Sequence, residues 1–180
     1  MIYYGTIAPR FDLEGVLSAL AGVRRKDRIA LRIIGKGASA ASLRAAIAAH
    51  GLERHVEFDD AAYPLRRLPG IVRRFHLGIV PYRPSFATDH ILPVKLMELL
   101  AMGIPSITIA NSAIRHYIDP RMYFAYDPRD MGTLTRIIED IVDRPSIISE
   151  KRSAILEDPD RYLWKRMRVK YLDLLARLSK

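Results

Sequence analysis

Residues 92–110 read LPVKLMELLAMGIPSITIA, and this stretch shows how the whole chain is organised. Pro93 suits the first position of a helix, and the apolar residues after it predict a helix through Met102. Gly103 is typical of the residue that ends such a helix. Ser106–Ile109 then predicts a strand. The unit is therefore a helix that leads directly into a strand.

The same alternation of strands and helices runs along the rest of the chain. The predicted strands are Ile2–Tyr4, Ile29–Ile34, His55–Phe58, Leu77–Val80, Ser106–Ile109 and Met122–Tyr126. The predicted helices follow Asp12, follow Ser39 or Ser42 as far as His50, and cover Leu65–Phe75 (with a break near Pro69-Gly70), Pro93–Met102, Met131–Val142, Ile147–Ile155 and Arg161–Leu178. Nearly all-apolar strands indicate a parallel sheet that is buried on both faces. The expected fold is α/β, a Rossmann-like parallel sheet of about six strands with helices on both faces and a C-terminal helical tail.

Two parts of the chain are expected. Residues 1–143 would form the sheet domain and residues 144–180 the tail, because Asp143-Arg144-Pro145 resembles a linker. The last helix has an apolar stripe and basic other faces. The stripe is Leu163, Met167, Tyr171, Leu174 and Leu178, and the basic residues are Arg161, Lys165, Arg166, Arg168, Lys170, Arg177 and Lys180. Such a helix can lie on anionic lipid or pack on this domain or another one, and both interpretations stay open.

The composition excludes several classes of protein. The 180 residues include no cysteine, which excludes a disulfide framework, a thiol nucleophile and a cysteine-based zinc site. No apolar run has the length of a membrane span, and the opening MIYYGTIAPR does not have the layout of a signal peptide, so a cytoplasmic location is expected. The formal net charge of +9 favours an anionic partner, such as nucleic acid, anionic lipid or a phosphorylated small molecule.

The start of the 93–102 helix is the strongest candidate for a binding site. The free amides of its first turn and the positive end of the helix dipole suit a phosphate. Lys95 adds a full charge, and Glu98 lies three residues on, where its carboxylate could accept hydrogen bonds from both ribose hydroxyls. The alternative is an ordinary ion pair between Lys95 and Glu98. The spacing alone does not decide between the two.

Five segments resemble one known family. LPVKLMELLAMGIPSIT closely resembles the segment L-P-x-K-x-x-E-[YL]-[LM]-A-x-G-x-P-V-[VI] of family-four-like glycosyltransferases (glycosyl transferases group 1), which have the GT-B fold. The others are YYGTIAPRFDLEGVLSAL, ALRIIGKG, RHVEFDD and IVRRFHLGIVPY. Their order and spacing resemble one complete C-terminal, donor-binding domain, and the resemblance covers essentially the whole chain.

The resemblance implies roles for individual residues. Glu98 would bind the ribose of a nucleotide sugar, and Lys95 with the amides around Pro93 and Val94 would hold the diphosphate. Gly5 would let the first loop approach the phosphates. The remaining implied positions are Gly35 and Gly37, which would open the nucleotide cleft, and Asp60 to Tyr63, which would lie near the base.

Three positions depart from the family pattern. Many relatives have an acidic residue where this chain has His90, with Asp89 beside it, and an arginine and a lysine where it has Thr6 and Phe11. Arg10 or Lys36 is then expected to help Lys95 neutralise the phosphates. His90 is either a contact of the donor sugar or a loop histidine, and Tyr82 either stacks on the nucleotide or belongs to the core or its rim; both alternatives stay open.

The function implied is that of the donor-binding half of a metal-independent hexosyltransferase. It would use a UDP- or GDP-linked sugar without a cofactor, in polysaccharide or glycolipid synthesis, and would need an N-terminal acceptor-binding domain or a partner chain for activity. Positive charge at Lys95 would stabilise the leaving diphosphate. The alternative is a non-enzymatic subunit that binds a nucleotide sugar or recruits a partner. Nucleic acid is not expected as a partner, because no recognition pattern accompanies the basic residues.

Overall fold

The computed structural model describes residues 1–178, so Ser179 and Lys180 lie outside the described residues. The strands are β1 (Ile2–Tyr4), β2 (Leu31–Ile34), β3 (Val56–Asp59), β4 (Gly78–Val80), β5 (Ser106–Ile109) and β6 (Tyr123–Tyr126). The helices are α1 (Leu13–Ala21), α2 (Ala40–Ala49), α3 (Leu68–Val72), α4 (Phe86–Asp89), α5 (Val94–Ala101), α6 (Ser112–Tyr117), α7 (Met131–Asp143), α8 (Ser146–Leu156) and α9 (Trp164–Leu178).

The six strands form one parallel sheet in the order β3-β2-β1-β4-β5-β6. The chain moves outward from β1 to β3 and then returns to the other side of β1 at β4. The strand order therefore reverses between β1 and β4, and the carboxyl ends of these two strands border the crevice in which parallel sheets usually bind ligands.

Helices cover both faces of the sheet, which confirms the predicted fold class. On one face, α1 and α7 pack through fully buried Leu17, Leu20 and Leu134. On the other face, Leu96 and Leu99 of α5 lie in a second buried cluster. Strands of three or four residues are stable here because both faces exclude water from an almost wholly apolar sheet.

The structure adds two short helices that the sequence analysis does not predict, α4 and α6. Both depend on local caps rather than on an apolar stripe. Ser85 and Thr88 form a reciprocal capping box at α4, and the Asn111 side chain accepts a hydrogen bond of 2.7 Å from Ile114 N at α6. Helices of four and six residues are too short to show helical periodicity, so periodicity alone does not predict them.

The predicted break near Pro69-Gly70 corresponds to a change of helix type directly before Pro69. A 3₁₀ turn over Leu65–Arg67 is followed by α3, which contains both residues. Pro69 lies in the first turn of α3, where its missing N–H is not needed.

The two tail helices differ in how they pack. Ile147, Ala154 and Ile155 of α8 are buried against the sheet domain. By contrast, α9 has no buried residue, and Trp164 is 64% exposed. None of the helices within residues 1–178 is both long enough and apolar enough to cross a membrane.

Candidate functional site

Two glycine-containing loops make direct backbone contact at the carboxyl ends of β1 and β2. Gly5 N donates to Ile34 O at 2.9 Å, and Ile7 N donates to Lys36 O at 2.9 Å. Gly35 has a φ of +155°, and a Cβ there would lie 1.7 Å from Gly5 O. The close approach of these two loops thus requires glycine at position 35.

Gly37 makes the second close approach between the same loops. A Cβ at Gly37 would lie 2.0 Å from Ile7 O. Ser39 N donates to the same carbonyl at 3.2 Å, which leaves no room for a side chain. Loop packing accounts for both glycines, and their contact with a nucleotide stays a prediction.

Lys95 lies against the first of these loops. It is half-buried, and its Nζ donates a hydrogen bond of 2.9 Å to the Tyr3 hydroxyl. Nζ also lies 4.0 Å from the Tyr3 ring centroid and 3.8 Å from that of Phe11. Gly5 leaves room for this arrangement, since a Cβ there would lie 3.0 Å from Nζ. Lys95, which is predicted to bind phosphate, is therefore held at the carboxyl end of β1.

The surroundings of Lys95 favour its neutral form. Burial is the main cause of a pKa of about 7, well below the usual value of a lysine. The positive charge of Arg10 lowers this pKa further, while Glu98 opposes the shift. Within residues 1–178, no carboxylate forms an ion pair with Lys95. Charged Lys95 and Arg10 would be two neighbouring cations without such a partner, and a bound anion would stabilise this charged form of Lys95.

Glu98 lies one turn further along α5, and a residue of β1 holds its side chain in place. Its Oε2 accepts a hydrogen bond of 2.8 Å from the Tyr4 hydroxyl. Burial and this hydrogen bond raise the pKa of Tyr4, so the tyrosine remains a donor. The ion pair between Lys95 and Glu98, the alternative raised from their spacing, is not formed among the described residues. Glu98 is exposed, so its carboxylate remains accessible to a ligand.

The N-terminus of α5 differs by one residue from the prediction. Pro93 is the N-cap, with extended backbone, and Val94 is the first helical residue. Val94 is 70% exposed while Leu96 in the same turn is fully buried, so one side of the first turn of α5 faces solvent. Its N–H groups lack intrahelical acceptors, as at every helix start.

Tyr82 and Arg10 complete the surroundings of Phe11. The loops after β1 and β4 run side by side, since Phe11 and Tyr82 form an antiparallel bridge and Arg83 N donates to Arg10 O at 2.9 Å. The Tyr82 ring meets that of Phe11 edge-on, with centroids 4.8 Å apart, and the Arg10 guanidinium lies 5.0 Å from the Phe11 centroid. Half-buried Tyr82 therefore supports the aromatic ring beneath Lys95. Exposed Thr6 accepts a hydrogen bond from the Tyr3 hydroxyl at its carbonyl oxygen (2.6 Å).

His90 lies in the segment of residues 84–92, which is hydrogen-bonded to the loop between β5 and α6. Its ring nitrogen Nδ1 is 3.1 Å from Phe86 O. Asp89 accepts hydrogen bonds from Ser112, which lower the pKa of the Asp89 carboxyl. The Asn111 side chain donates to Thr88 O at 2.7 Å. A cavity of about 590 Å³ adjoins this segment. His90 thus lies on a well-anchored loop, and its contact with a donor sugar stays a prediction.

The residues predicted near the base already have partners within the chain. Asp60 forms an ion pair with Arg44 at 2.6 Å, and the Tyr63 hydroxyl donates to Asp59 at 2.8 Å. Lys36 is exposed beside the first loop. Among residues 1–178, no group of three or more His, Asp or Glu side chains converges as metal ligands do.

The sequence analysis did not identify Tyr3 and Tyr4 as site residues. The available signal was two hydroxyl-bearing residues at the end of a buried strand, directly before Gly5. Such hydroxyls need a polar partner when they are buried, and the carboxyl end of the strand is where ligands bind.

One protein family matches the sequence. The profile of the family described as "Glycosyl transferases group 1" matches residues 1–144. No curated protein sequence matches the chain at a significant level.

Several solved structures share the fold at low identity. The structure of Anabaena Alr3699/HepE with UDP and glucose superposes with a TM-score of 0.81 at 14% identity, over 98% of this chain and 47% of that one. Staphylococcus aureus TarM, with UDP and other ligands, superposes with a TM-score of 0.79 at 15% identity, over 96% of this chain and 34% of that one. The catalytic domain of cholesterol-α-glucosyltransferase from Helicobacter pylori superposes with a TM-score of 0.71 at 16% identity, over 89% of this chain and 96% of that one. This chain therefore spans less than half of HepE and about a third of TarM.

Proposed function

Because the chain belongs to the glycosyl transferases group 1 family, we propose that it binds a nucleoside diphosphate sugar at the carboxyl ends of β1 and β4 and acts as the donor-binding half of a glycosyltransferase. The observation that carries this proposal is the pair of neighbouring basic side chains, Lys95 and Arg10, with Lys95 lying against Gly5. Glu98 lies one turn further along α5. A diphosphate next to Lys95 would thus have its ribose beside a carboxylate.

Each group has a defined task in this proposal. The first-turn amides of α5 and Lys95 bind the diphosphate, and Gly5 leaves the approach to the phosphates free of a side chain. As the bond between the sugar and the diphosphate breaks, negative charge grows on the β-phosphate oxygen, and Lys95 and Arg10 stabilise it. Glu98 orients the nucleotide through the ribose hydroxyls and transfers no proton. The cations supply the positive charge, so we propose that transfer is metal-independent.

We propose that the donor carries UDP or GDP and a hexose. Two of the structural relatives were solved with UDP, one of them with glucose as well. The acceptor would bind to an N-terminal domain or a partner chain, and without it this chain would hold the donor but transfer little or no sugar. No cofactor is needed for such a transfer, and nucleic acid is not a proposed partner. Synthesis of a polysaccharide or a glycolipid is the proposed context.

Calorimetric titration with UDP, GDP, ADP and dTDP tests the proposal. We expect measurable affinity for one of UDP and GDP, since the diphosphate and the ribose are bound together and the base adds selectivity. The matching nucleoside monophosphate should bind at least tenfold more weakly, because it lacks one of the phosphate groups. Equal, weak binding of all these nucleotides would contradict the proposed site.

The second candidate function is a non-enzymatic subunit that binds a nucleotide sugar or recruits a partner. The observation that favours it is His90 where an acidic side chain is typical of the family. Addition of an acceptor-binding partner distinguishes the two functions, because sugar transfer should appear only if this half is catalytically competent.

We further propose that α9 contacts the cytoplasmic membrane face. Its cations Lys165, Arg166, Arg168, Lys170 and Arg177 outnumber its single acidic residue, Asp173, and its apolar residues are exposed. This combination suits an anionic lipid surface. One structural relative is named for a lipid acceptor, cholesterol.

Vesicle co-sedimentation tests the α9 proposal. We expect binding to vesicles that contain phosphatidylglycerol and not to pure phosphatidylcholine. Arg168→Gln with Lys170→Gln should weaken this binding about tenfold or more, because each cation near the surface contributes about 1 kcal/mol. The matched control is Arg28→Gln with Arg54→Gln, which makes the same charge change elsewhere on the surface. Equal loss in both double variants would rule out a specific role for α9.

A further inference from the structure

Lys95 is a partly buried amine with aromatic neighbours, and no carboxylate of residues 1–178 forms an ion pair with it. Tyr3 of β1 offers its hydroxyl oxygen and its ring, and Phe11 of the following loop offers its ring. The charged groups near it are Arg10, from the same loop, and Glu98, from its own helix. Glu98 is engaged with the Tyr4 hydroxyl instead.

These neighbours fix the amine in place but compensate its charge poorly. A ring face attracts an ammonium group far less than a full negative charge does, and one neutral hydroxyl supplies a single acceptor. Loss of water around Nζ and repulsion from Arg10 act in the opposite direction. The result is the pKa of about 7 described above.

We propose that the donor diphosphate is the counter-ion of Lys95, so that donor binding takes up a proton from solvent at Nζ, and that Tyr3 is the residue that positions this amine for it. The inference rests on the proposed function and adds that donor binding is coupled to protonation of Lys95. No covalent bond changes, since the neutral amine gains one proton and becomes an ammonium group beside the phosphate oxygens.

The direction of the pH dependence follows from linkage. In the free protein Lys95 loses its proton as the pH rises through about 7. The bound diphosphate stabilises the ammonium form, so the pKa of Lys95 rises in the complex. At pH values between the pKa of Lys95 in the free protein, about 7, and its higher pKa in the complex, binding must take up a proton. Affinity should therefore fall by up to about tenfold for each unit of pH rise in that interval.

Calorimetry measures this proton directly. The nucleoside diphosphate that binds, UDP or GDP, is titrated at pH 8.0 in two buffers with different ionisation enthalpies. A terminal phosphate loses its second proton near pH 6, so the free nucleotide does not contribute at pH 8. We expect an uptake close to one proton per nucleotide bound, and a dissociation constant at pH 9 about tenfold above that at pH 8.

Variants of Lys95 and Tyr3 identify the group that titrates. Lys95→Arg keeps a permanent charge, so it should bind the nucleotide with no proton uptake and no fall in affinity between pH 8 and 9. Lys95→Met should bind weakly at every pH, also without uptake. Tyr3→Phe removes the acceptor of Nζ but keeps the ring, so the fall in affinity should begin at a lower pH. A merely structural role of Tyr3 would lower the affinity equally at every pH.

The outcomes separate this inference from the proposed function. Nucleotide binding by the wild-type chain with no uptake at pH 8 overturns the inference and leaves the proposed function intact. Unchanged uptake in Lys95→Met also overturns it, because another group would then titrate. Absence of nucleoside diphosphate binding at pH 6.5, where Lys95 is charged, overturns both.

Discussion

Replacement of Glu98 by alanine is expected to weaken binding of the nucleoside diphosphate by about 100-fold or more. The physical reason is the loss of two hydrogen bonds from ribose hydroxyls to a carboxylate, since hydrogen bonds to a charged group contribute about 1.5–3 kcal/mol. Calorimetric titration with the nucleotide that the wild-type chain binds gives the comparison directly.

Two control variants isolate the contribution of the carboxylate. Tyr4→Phe removes the hydrogen bond that holds Glu98 but keeps the carboxylate, so it should weaken binding much less than Glu98→Ala. Glu53→Ala removes one exposed carboxylate at a distant loop and should leave the affinity unchanged. An affinity of Glu98→Ala within twofold of wild type would remove Glu98 from the proposed site.

Replacement of Gly35 by alanine is expected to give the largest loss of stability, about 3–5 kcal/mol. The new Cβ would lie 1.7 Å from Gly5 O, and the φ of +155° is strained for any residue with a side chain. The β1 and β2 loops would then have to separate. Thermal unfolding should show a midpoint lowered by roughly 6–20 °C for a chain of this size.

Gly70→Ala is the matched control for this substitution. Gly70 lies within α3, and a Cβ there would meet no atom within 4 Å. Alanine is favoured over glycine in a helix by up to about 1 kcal/mol, so this variant should melt at the wild-type temperature or slightly above it. Equal midpoints for Gly35→Ala and Gly70→Ala would show that the two loops are not packed as closely as described.

The fold was predictable from sequence because its signals are local. Most of the six strands are short, mainly apolar runs, and helices such as α1 and α7 have apolar residues at helical spacing. The spatial order of the strands carries no such local signal. It depends on which helix covers which face, so the position of β1 beside β4 had to come from the structure.

The candidate site was predictable in part for the same reason. Pro93, Lys95 and Glu98 lie on one helix, and helical geometry alone places them near each other. Their partners Tyr3 and Tyr4 lie more than ninety residues earlier in the chain. Only the crossover that brings β4 and α5 next to β1 puts these tyrosines in reach, and spacing within a motif contains no information about it.

The two tyrosines of β1 also limit how the protein can adapt to its ligand. Tyr3 and Tyr4 are consecutive residues whose hydroxyls hold side chains one turn apart on α5. A sliding or rotating helix would break both hydrogen bonds together, so these bonds oppose movement of α5 relative to β1. If Lys95 and Glu98 bind the donor as proposed, the distance between the ribose and diphosphate contacts would consequently stay constant, and differences in donor size would be accommodated by residues 84–92.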